Sequence, residues 1–257
     1  MDQAIASKPV RIVRWLPYFA VLQADMHQTV RSWVYRTWVL ISLLGAVGYL
    51  LYRFGVANEA RIIQPASDWI SDLLLWMLFE SVTLIVVLAA GSISSERGTM
   101  ADSILSRGIS RYQYYTGKLH ARLITVLVTF YIQGLLIVAA GCFFLHEDHS
   151  IDGCILAITT IAALLVFVIS CGVAVSAMID TTVVGIAFVW LVVYGAGFLV
   201  SLIPGRFPEI FGWLRNMPHL VRGMYNLQDQ LKLICGTLVA SVIISIVGMV
   251  HFSRRDV

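Results

Sequence analysis

Charged residues are scarce in this sequence. Asp, Glu, Lys and Arg make up 13% of the 257 residues, whereas apolar residues make up 59%. Soluble domains contain about 25% charged residues, and a water-soluble fold of this size cannot bury so much apolar surface in one core. The composition therefore argues against a soluble protein and predicts a membrane protein. The net charge of +3 is too small to indicate nucleic-acid binding.

Motifs of common enzymes and metal sites are missing as well. The sequence has no HExxH motif, no pair of intramembrane aspartates and no Ser/His arrangement at matching depth. Its four cysteines show no CxxC spacing, which argues against a zinc framework and against a disulfide-rich scaffold. We therefore predict that the chain is not an enzyme, and that it holds no cofactor of its own.

The chain also has no phosphate-binding loop. The pattern GxxxxGK followed by Ser or Thr needs glycines so that backbone N–H groups can surround the phosphates. At the one Gly-Lys pair, Gly117-Lys118, Tyr112 stands where the first glycine belongs and Leu119 where the hydroxyl belongs. We expect no ATP hydrolysis by this chain alone.

Six apolar segments approach the ~20 residues that a helix needs to cross ~30 Å of hydrocarbon. They are predicted to be helices, because backbone groups in lipid must be paired within the segment and the alternation of barrel strands is absent. The predicted spans are 38–54, 69–91, 120–145, 153–178, 183–203 and 231–252. The predicted fold class is thus an all-α integral membrane protein with a six-helix transmembrane domain over 38–252.

The basic residues predict the orientation of these spans. With a cytoplasmic N-terminus, twelve of the 18 Lys and Arg residues fall on inside segments and six on outside segments. By the positive-inside rule, both termini are then cytoplasmic. The residues after the last span, 253–257, form a cytoplasmic tail in this topology.

The N-terminal region, 1–37, is predicted to contain an amphipathic helix over 15–36. Apolar residues recur there at steps of three and four, and polar residues, among them Asp25, fill the other face. Such a helix is expected to lie in the cytoplasmic headgroup layer. Membrane anchoring alone would explain the pattern. The apolar positions are Trp15, Tyr18, Phe19, Leu22, Met26, Val30 and Trp33.

The longest inside connection is 92–119, far longer than a simple link between two helices. Thr99 or Ser103 can cap a short helix there, Gly108 can end it, and Ser110 can cap the next helix. We predict a short helix parallel to the membrane, which would suit the transfer of force to a cytoplasmic partner.

This segment resembles the ABC-2 type permease family, the membrane subunits of ATP-binding-cassette exporters. The family has a Glu, Gly-Thr, Leu-Ser with a nearby Pro, Ser-Arg and Gly-Lys in this order. The chain departs from the pattern at Gly108, where many members have proline. The ending Phe252–Asp256 also resembles the family's basic ending, and the layout is most similar to the nitrous-oxide-reductase maturation permease branch. The matching residues are Glu96, Gly98, Thr99, Leu105, Ser106, Ser110, Arg111, Gly117 and Lys118.

The resemblance implies a permease that couples ATP hydrolysis by a separate subunit to substrate movement across the inner (cytoplasmic) membrane. Two copies of the ATPase, with ATP and Mg, would dock beneath a permease dimer, expected to be a homodimer. The 98–111 helix would be the coupling helix, and 204–230 an external helical cap. The alternative is mechanical transmission to a periplasmic accessory protein without a transported solute. The implied coupling residues are Glu96, Arg97, Gly98, Thr99, Leu105, Ser106, Arg107, Gly108, Ser110, Arg111, Gly117 and Lys118.

Two polar residues lie deep in the predicted spans. Glu80 is near the middle of the second span, and Gln133 has a comparable depth in the third. Ionisable residues at such depth usually face a bundle interior, so one hypothesis places both on the translocation path. The alternative for Glu80 is a structural hydrogen bond between helices.

A polar loop is predicted between the third and fourth spans on the outside. Its imidazoles and carboxylates are ligand types for transition metals, but adjacent residues rarely converge on one ion, and we predict no metal site. Cys142 and Cys154 flank the loop, and free thiols are favoured over a disulfide. The 204–230 segment is too apolar for a free loop and is expected to form one or two short helices on the outer membrane face. The loop residues are His146, Glu147, Asp148 and His149.

Overall fold

The structure, a computed structural model, describes residues 15–60, 65–96, 109–144, 148–201 and 210–254. These ranges form nine α-helices and contain no β-strand. A 3₁₀ turn, Ser94–Glu96, follows α3. The helices are α1 (Leu16–Arg31), α2 (Trp33–Ala60), α3 (Ala66–Ala90), α4 (Arg111–Phe144), α5 (Ile151–Met178), α6 (Thr182–Ser201), α7 (Ile210–Arg215), α8 (Met217–Val221) and α9 (Leu227–Arg254).

Five of the described helices, α2, α3, α4, α5 and α9, are long and apolar enough to cross a membrane. The predicted all-α class and its compatibility with a multi-pass membrane protein are therefore confirmed. The helix over the predicted fifth span, α6, has 20 residues, of which Thr182–Gly195 form a shorter described apolar stretch. A sixth span, and the sidedness of the bundle, remain predictions.

The predicted single helix over 15–36 is wrong, because the chain breaks at Ser32. This residue is extended, and its hydroxyl donates to the carbonyl of Thr29 at 2.7 Å while accepting from the backbone N–H of Tyr35 at 3.2 Å. The same side chain thus bonds a carbonyl in the last turn of α1, which also accepts from the Ser32 N–H, and an N–H at the start of α2. Two helices meet there with only one residue between them.

The side of α1 that is buried in the protein is the polar side of the predicted amphipathic helix. Asp25, assigned to the polar face, is buried together with Val21 and Thr29, whereas Trp15 and Phe19 are exposed. The helix packs against α4, where the Tyr18 hydroxyl lies 2.7 Å from Nδ1 of His120, while Trp15 and Phe19 point away from the bundle. This arrangement suits a helix at a membrane interface, where an exposed apolar face can enter the lipid.

The core of the bundle is formed by α3 and α5. Most of the apolar stretch of each is buried, whereas those of α2 and α9 are largely exposed. Large side chains such as Trp69, Met77 and Ile158 are fully enclosed between the central helices. The exposed apolar residues of the outer helices are what a bundle surrounded by lipid is expected to present, since lipid tails replace water as the solvent.

Gly248 allows α9 to pack closely on α5. A Cβ atom at this position would lie 2.7 Å from the Cβ and 2.8 Å from the Cα of Ala174. Because backbone atoms cannot move aside cheaply, we expect Gly248→Ala to separate the helices and lower the free energy of unfolding by ~1–3 kcal/mol. Thermal unfolding of the purified protein in detergent measures this change.

Gly236→Ala is the matched control for this prediction. Gly236 lies in the same helix, and no atom is within 4 Å of the place where its Cβ would be. Alanine is the better helix former by about 1 kcal/mol, so this variant should be neutral or slightly stabilised. Equal destabilisation by both changes would contradict the proposed contact between Gly248 and Ala174.

Candidate functional site

Five polar side chains meet where α1, the 3₁₀ turn and the first turns of α4 pack together. Lys118 Nζ donates to Asp25 Oδ1 at 2.8 Å and to Glu96 Oε1 at 2.6 Å. Arg122 Nη2 donates to Asp25 Oδ1 at 3.3 Å, and its Nε lies 3.2 Å from Oδ2 at ion-pair distance. Tyr114 Oη donates to Glu96 Oε2 at 2.6 Å. We call these five residues the buried ion cluster, and the end of the bundle that holds them the Glu96 end.

Local sequence explains how α4 presents three members of this cluster. Ser110 accepts from the backbone N–H of Gln113, whose side chain accepts from the N–H of Ser110, both at 3.2 Å. This capping box starts α4 at Arg111 and confirms the predicted cap at Ser110. Tyr114, Lys118 and Arg122 then follow at steps of four residues, so they share one face of the helix.

A glycine brings α1 close enough to complete the cluster. A Cβ on Gly117 would lie only 2.9 Å from Cγ1 of Val21 in α1. With no side chain there, the two helices approach closely, and Asp25, one turn along from Val21, comes within reach of Lys118 on α4. Gly117 is thus a packing residue of the site.

The electrostatics of the cluster are balanced. It holds two carboxylates and two cations, and Asp25, Lys118 and Arg122 are all almost fully buried. Removing an ion from water costs several kcal/mol, and its partners offset this cost only with good geometry. Because the two carboxylates share Lys118, loss of this one ammonium group would leave both short of positive charge.

Further contacts fix the backbone around Glu96. The N–H groups of Ile93 and Ser94 donate to the hydroxyl of Ser176 near the end of α5, at 2.9 and 3.0 Å. On the other side, Nη1 of Arg111 donates to the carbonyl of Ser253 at 3.2 Å, which joins the start of α4 to the end of α9. The Glu96 end therefore ties α1, α3, α4, α5 and α9 together.

The structure brings together two of the predicted coupling residues, Glu96 and Lys118, which form an ion pair. Ser110, Arg111 and Gly117 lie close by, in the cap and first turns of α4. The predicted coupling helix 98–111 falls largely outside the described residues. This is also where Arg97, Gly98, Thr99, Leu105, Ser106, Arg107 and Gly108 lie.

Three cluster members, Asp25, Tyr114 and Arg122, were not predicted as site residues. The four-residue spacing of Tyr114, Lys118 and Arg122 places them on one helix face, and this pattern could have identified Tyr114 and Arg122. Asp25 had no such pattern, because it is 93 residues from Lys118 in the chain and looked like part of a solvated face.

The predicted path residues Glu80 and Gln133 have different surroundings. Both carboxylate oxygens of Glu80 accept from the hydroxyl of Ser42, at 3.1 and 3.2 Å. This bond between α3 and α2 agrees with the structural alternative for Glu80. Gln133 is buried, and its amide has no hydrogen-bond partner among the described residues.

A second polar network lies at the opposite end, which we call the Asp148 end. Asp148 accepts from the N–H of Ser67 at 2.8 Å and from its hydroxyl at 2.5 Å, and Nε of Arg222 is 3.3 Å away. Partial burial opposes ionisation of Asp148, but the bonds from Ser67 and the charge of Arg222 outweigh it and lower its pKa. Arg222 also pairs with Asp68 at 3.0 Å.

The described side chains of the polar loop are bonded to other protein groups. Asp148 is committed to Ser67 and Arg222, and Nε2 of His149 lies 3.0 Å from Sγ of Cys142. Within the ranges that the structure describes, no three His, Cys, Asp or Glu side chains are placed to hold a metal ion. His146 and Glu147 lie outside those ranges. All four cysteines are free thiols, as the prediction favoured for Cys142 and Cys154.

The described part of the predicted cap contains the two short helices α7 and α8. Instead of only resting on a membrane face, α8 packs between α3 and α5, and its Leu220 and Val221 are buried. Gly153 makes room for it, since a Cβ there would lie 2.3 Å from the carbonyl oxygen of Leu220. Residues 204–209 lie outside the described ranges.

The fold and site together define an all-α bundle, compatible with a multi-pass membrane protein, that has a buried ion cluster at one end. The chain matches no protein-family model and no curated protein sequence.

Proposed function

We propose that this chain is the permease subunit of an ATP-binding-cassette exporter, coupling ATP hydrolysis by a separate ATPase subunit to substrate movement. The observation behind this proposal is the buried ion cluster, which joins Glu96 to α1 and α4. Glu96 directly precedes 97–108, the segment that resembles the coupling region of ABC-2 type permeases. A force applied to that segment would reach α1 and α4 through the bonds of the buried ion cluster.

The contacts at the Glu96 end favour movement of these helices as one body. Packed interfaces respond to force by shifting between discrete arrangements and deform little. When ATP binding closes the ATPase pair, a displaced coupling segment would pull on Glu96. Lys118 and Arg122 would pass this displacement to α4, and Asp25 would pass it to α1. The central helices would then reorient around the substrate path.

The proposed topology has six spans, with the Glu96 end in the cytoplasm. Since α6 has 20 residues, it is ~30 Å long and matches the hydrocarbon core. Lys118, Arg122 and Arg254 all lie toward the end of the bundle where Glu96 is found, as expected for a cytoplasmic face. In this topology the chain is an inner-membrane protein that works as a dimer with two ATPase copies.

The Asp148 end favours one alternative, transmission of mechanical work to a protein outside the cell membrane. Arg222, directly after α8, is bonded to Asp68 at the start of α3 and to Asp148 before α5. Motion of the central helices would therefore also move α8. An accessory protein docked there could receive work without any solute crossing the membrane.

Purification of the tagged chain in mild detergent tests the proposal. We expect an ATPase subunit to copurify and to hydrolyse ATP, and Arg107→Glu to weaken this association by reversing a charge in the coupling segment. Arg215→Glu, at the end of α7, is the control and should retain the ATPase.

Two results would contradict the exporter. One is the absence of any attached nucleotide hydrolase. The other is labelling of Ser103→Cys, with the four native cysteines replaced, by an impermeant thiol reagent added from outside intact cells. A reconstituted complex that hydrolyses ATP, moves no solute and binds an external protein would favour the alternative.

A further inference from the structure

A pocket with three aromatic rings in its wall lies between α2 and α3. Tyr49 and Tyr52 line it from α2, and Trp76 lines it from α3. Its volume is about 530 Å³, within the range of ~300–1,000 Å³ that is typical of small-molecule sites. Asp72, also in its wall, stands one turn along α3 from Asp68, which belongs to the network at the Asp148 end. The pocket, which we call the aromatic pocket, is therefore in the half of the bundle nearer that end.

Two glycines of α2 create this space. A Cβ on Gly45 would overlap the indole ring of Trp76. Because residue 45 has no side chain, the indole reaches across to α2 and closes the deeper end of the pocket. Gly48 also lines the pocket, and no atom lies within 4 Å of the place that its Cβ would occupy. A side chain at residue 48 would therefore fill part of the aromatic pocket.

The polar and aromatic groups of the wall can be reached by a ligand. The side chain of Asp72 is 48% exposed, and Tyr52 and Trp76 are 64% and 38% exposed. Oδ2 of Asp72 accepts from Oη of Tyr49 at 2.6 Å and from Nη2 of Arg53 at 3.1 Å. Among the described residues, none donates to its Oδ1. This oxygen is available to a ligand in the pocket.

The aromatic pocket presents a negative charge among aromatic rings. Of the described residues that line it, only Asp72 is charged, and its partner Arg53 is not part of the wall. A cation is attracted both by a carboxylate and by the faces of Trp and Tyr rings. The structure already contains one such contact, since Cζ of Arg53 lies 5.4 Å from the centroid of the Tyr49 ring. The lining thus favours a cation over an anion or a neutral molecule.

The shortage of oxygen atoms narrows the type of cation. A calcium ion takes about six to eight oxygen ligands, and an unsubstituted ammonium group has about three N–H donors to satisfy. The wall offers Oδ1 of Asp72 and the hydroxyl of Tyr52, whereas the hydroxyl of Tyr49 is engaged with Asp72 and Arg53. An alkylated ammonium group needs no hydrogen bonds, and its methyl groups pack against aromatic rings.

We infer that the aromatic pocket binds an alkylated ammonium group, with its methyl groups against Trp76 and Tyr52 and its charge near Oδ1 of Asp72. Headgroups of membrane lipids and free organic cations both carry this group. The inference goes beyond the proposed exporter and does not depend on it, because no member of the buried ion cluster lines the pocket.

Calorimetric titration of the full chain with choline, in a non-ionic detergent, tests this inference. We expect saturable binding, which 3,3-dimethylbutan-1-ol, the neutral analogue of choline with the same shape, should not show. Asp72→Asn should raise the dissociation constant roughly 5-fold or more, because this is the effect of one opposite charge about 4 Å away in water. Trp76→Leu should raise it roughly 2- to 30-fold, the range expected for one cation–π contact.

Gly48→Leu and Gly55→Leu form a matched pair of variants. Both glycines lie in α2 with no atom within 4 Å of the Cβ position, so neither change should disturb the fold. Of the two, only Gly48 lines the pocket. Gly48→Leu should therefore abolish saturable binding, whereas Gly55→Leu should bind choline as the wild type does. This pair tests the inference even if Asp72→Asn fails to fold.

Dihexanoylphosphocholine identifies the source of the ammonium group. Tighter binding than that of choline would indicate a lipid headgroup, and weaker binding a free solute, and both results support the inference. Absence of saturable choline binding, equal binding of the neutral alcohol, or unchanged binding in Gly48→Leu would each overturn it. None of these results would bear on whether an ATPase attaches at the Glu96 end.

Discussion

Lys118→Met is expected to lower the thermal unfolding temperature of the purified protein by roughly 6–20 °C. The substitution keeps an apolar stem of similar length but removes the ammonium group that both Asp25 and Glu96 contact. Breaking a buried ion pair by removing one partner costs about 3–5 kcal/mol. Each kcal/mol corresponds to about 2–4 °C for a chain of this size. Unfolding can be followed by the fluorescence of a thiol-reactive dye in detergent.

The double variant Lys118→Met with Glu96→Gln separates charge balance from packing. It removes one negative and one positive charge, so Arg122 and Asp25 remain as a pair. We expect it to recover much of the lost stability.

Lys232→Met is the control for both variants. Among the residues that the structure describes, Lys232 pairs with Asp229 alone, and both side chains are mostly exposed, so its loss should cost less than about 1 kcal/mol. A Lys118→Met protein as stable as Lys232→Met would refute the importance of the buried ion cluster.

The sequence predicted the existence of the long helices better than their ends. Apolar length alone placed five of them, because a lipid-facing helix must be apolar over its whole span. Hydropathy began the third span at 120, whereas α4 begins at Arg111, directly after the predicted cap at Ser110. The extra turns carry polar residues that hydropathy assigns to a loop. They are also the turns that contain Tyr114 and Lys118.

The face of α1 could not be predicted by the rule that applies in water. Apolar periodicity usually identifies the buried side of a helix, but here Trp15 and Phe19 are exposed and Asp25 is buried. At a membrane interface the apolar side can face lipid, so the polar side is free to contact protein. The same periodicity fits a helix whose apolar side faces the protein core and one whose apolar side faces lipid. Only the position of the neighbouring helix distinguishes the two.

The candidate site was only partly accessible to sequence reasoning. Glu96 and Lys118 were named because the 96–118 segment resembles a family pattern. Their ion pair with each other, and the participation of Asp25, depend on contacts across 22 and 93 residues. Such contacts follow from helix packing, which Gly117 and Val21 determine by their close approach. A single sequence does not show which helices will be neighbours.

Glu96→Ala is expected to separate ATP hydrolysis from motion of the permease. Lys118 keeps its bond to Asp25 in this variant, so the fold should survive, but the backbone before residue 97 loses its bonds to Lys118 and Tyr114. The ATPase should still copurify and turn over. The effect of ATP on the conformational change at the Asp148 end should fall by roughly 5- to 150-fold, which is the range that typical coupling free energies give.

The thiol of Cys154 can report this motion. It is buried near the start of α5, where α8 packs against the bundle. With Cys142, Cys171 and Cys235 replaced, an impermeant maleimide would label only Cys154. In the assembled complex we expect ATP to accelerate this labelling, and Glu96→Ala to remove most of the acceleration.

Asp229→Ala, which removes an exposed carboxylate at the start of α9, is the matched control and should behave as the wild type. Undiminished acceleration in Glu96→Ala would show that the motion bypasses this residue. Loss of the ATPase during purification would place Glu96 in docking and contradict its role in transmission. A Glu96→Gln variant can still accept a hydrogen bond from Tyr114. Because transmission depends on bonds between residue 96 and α4, this variant should retain more of the ATP-dependent acceleration than Glu96→Ala does.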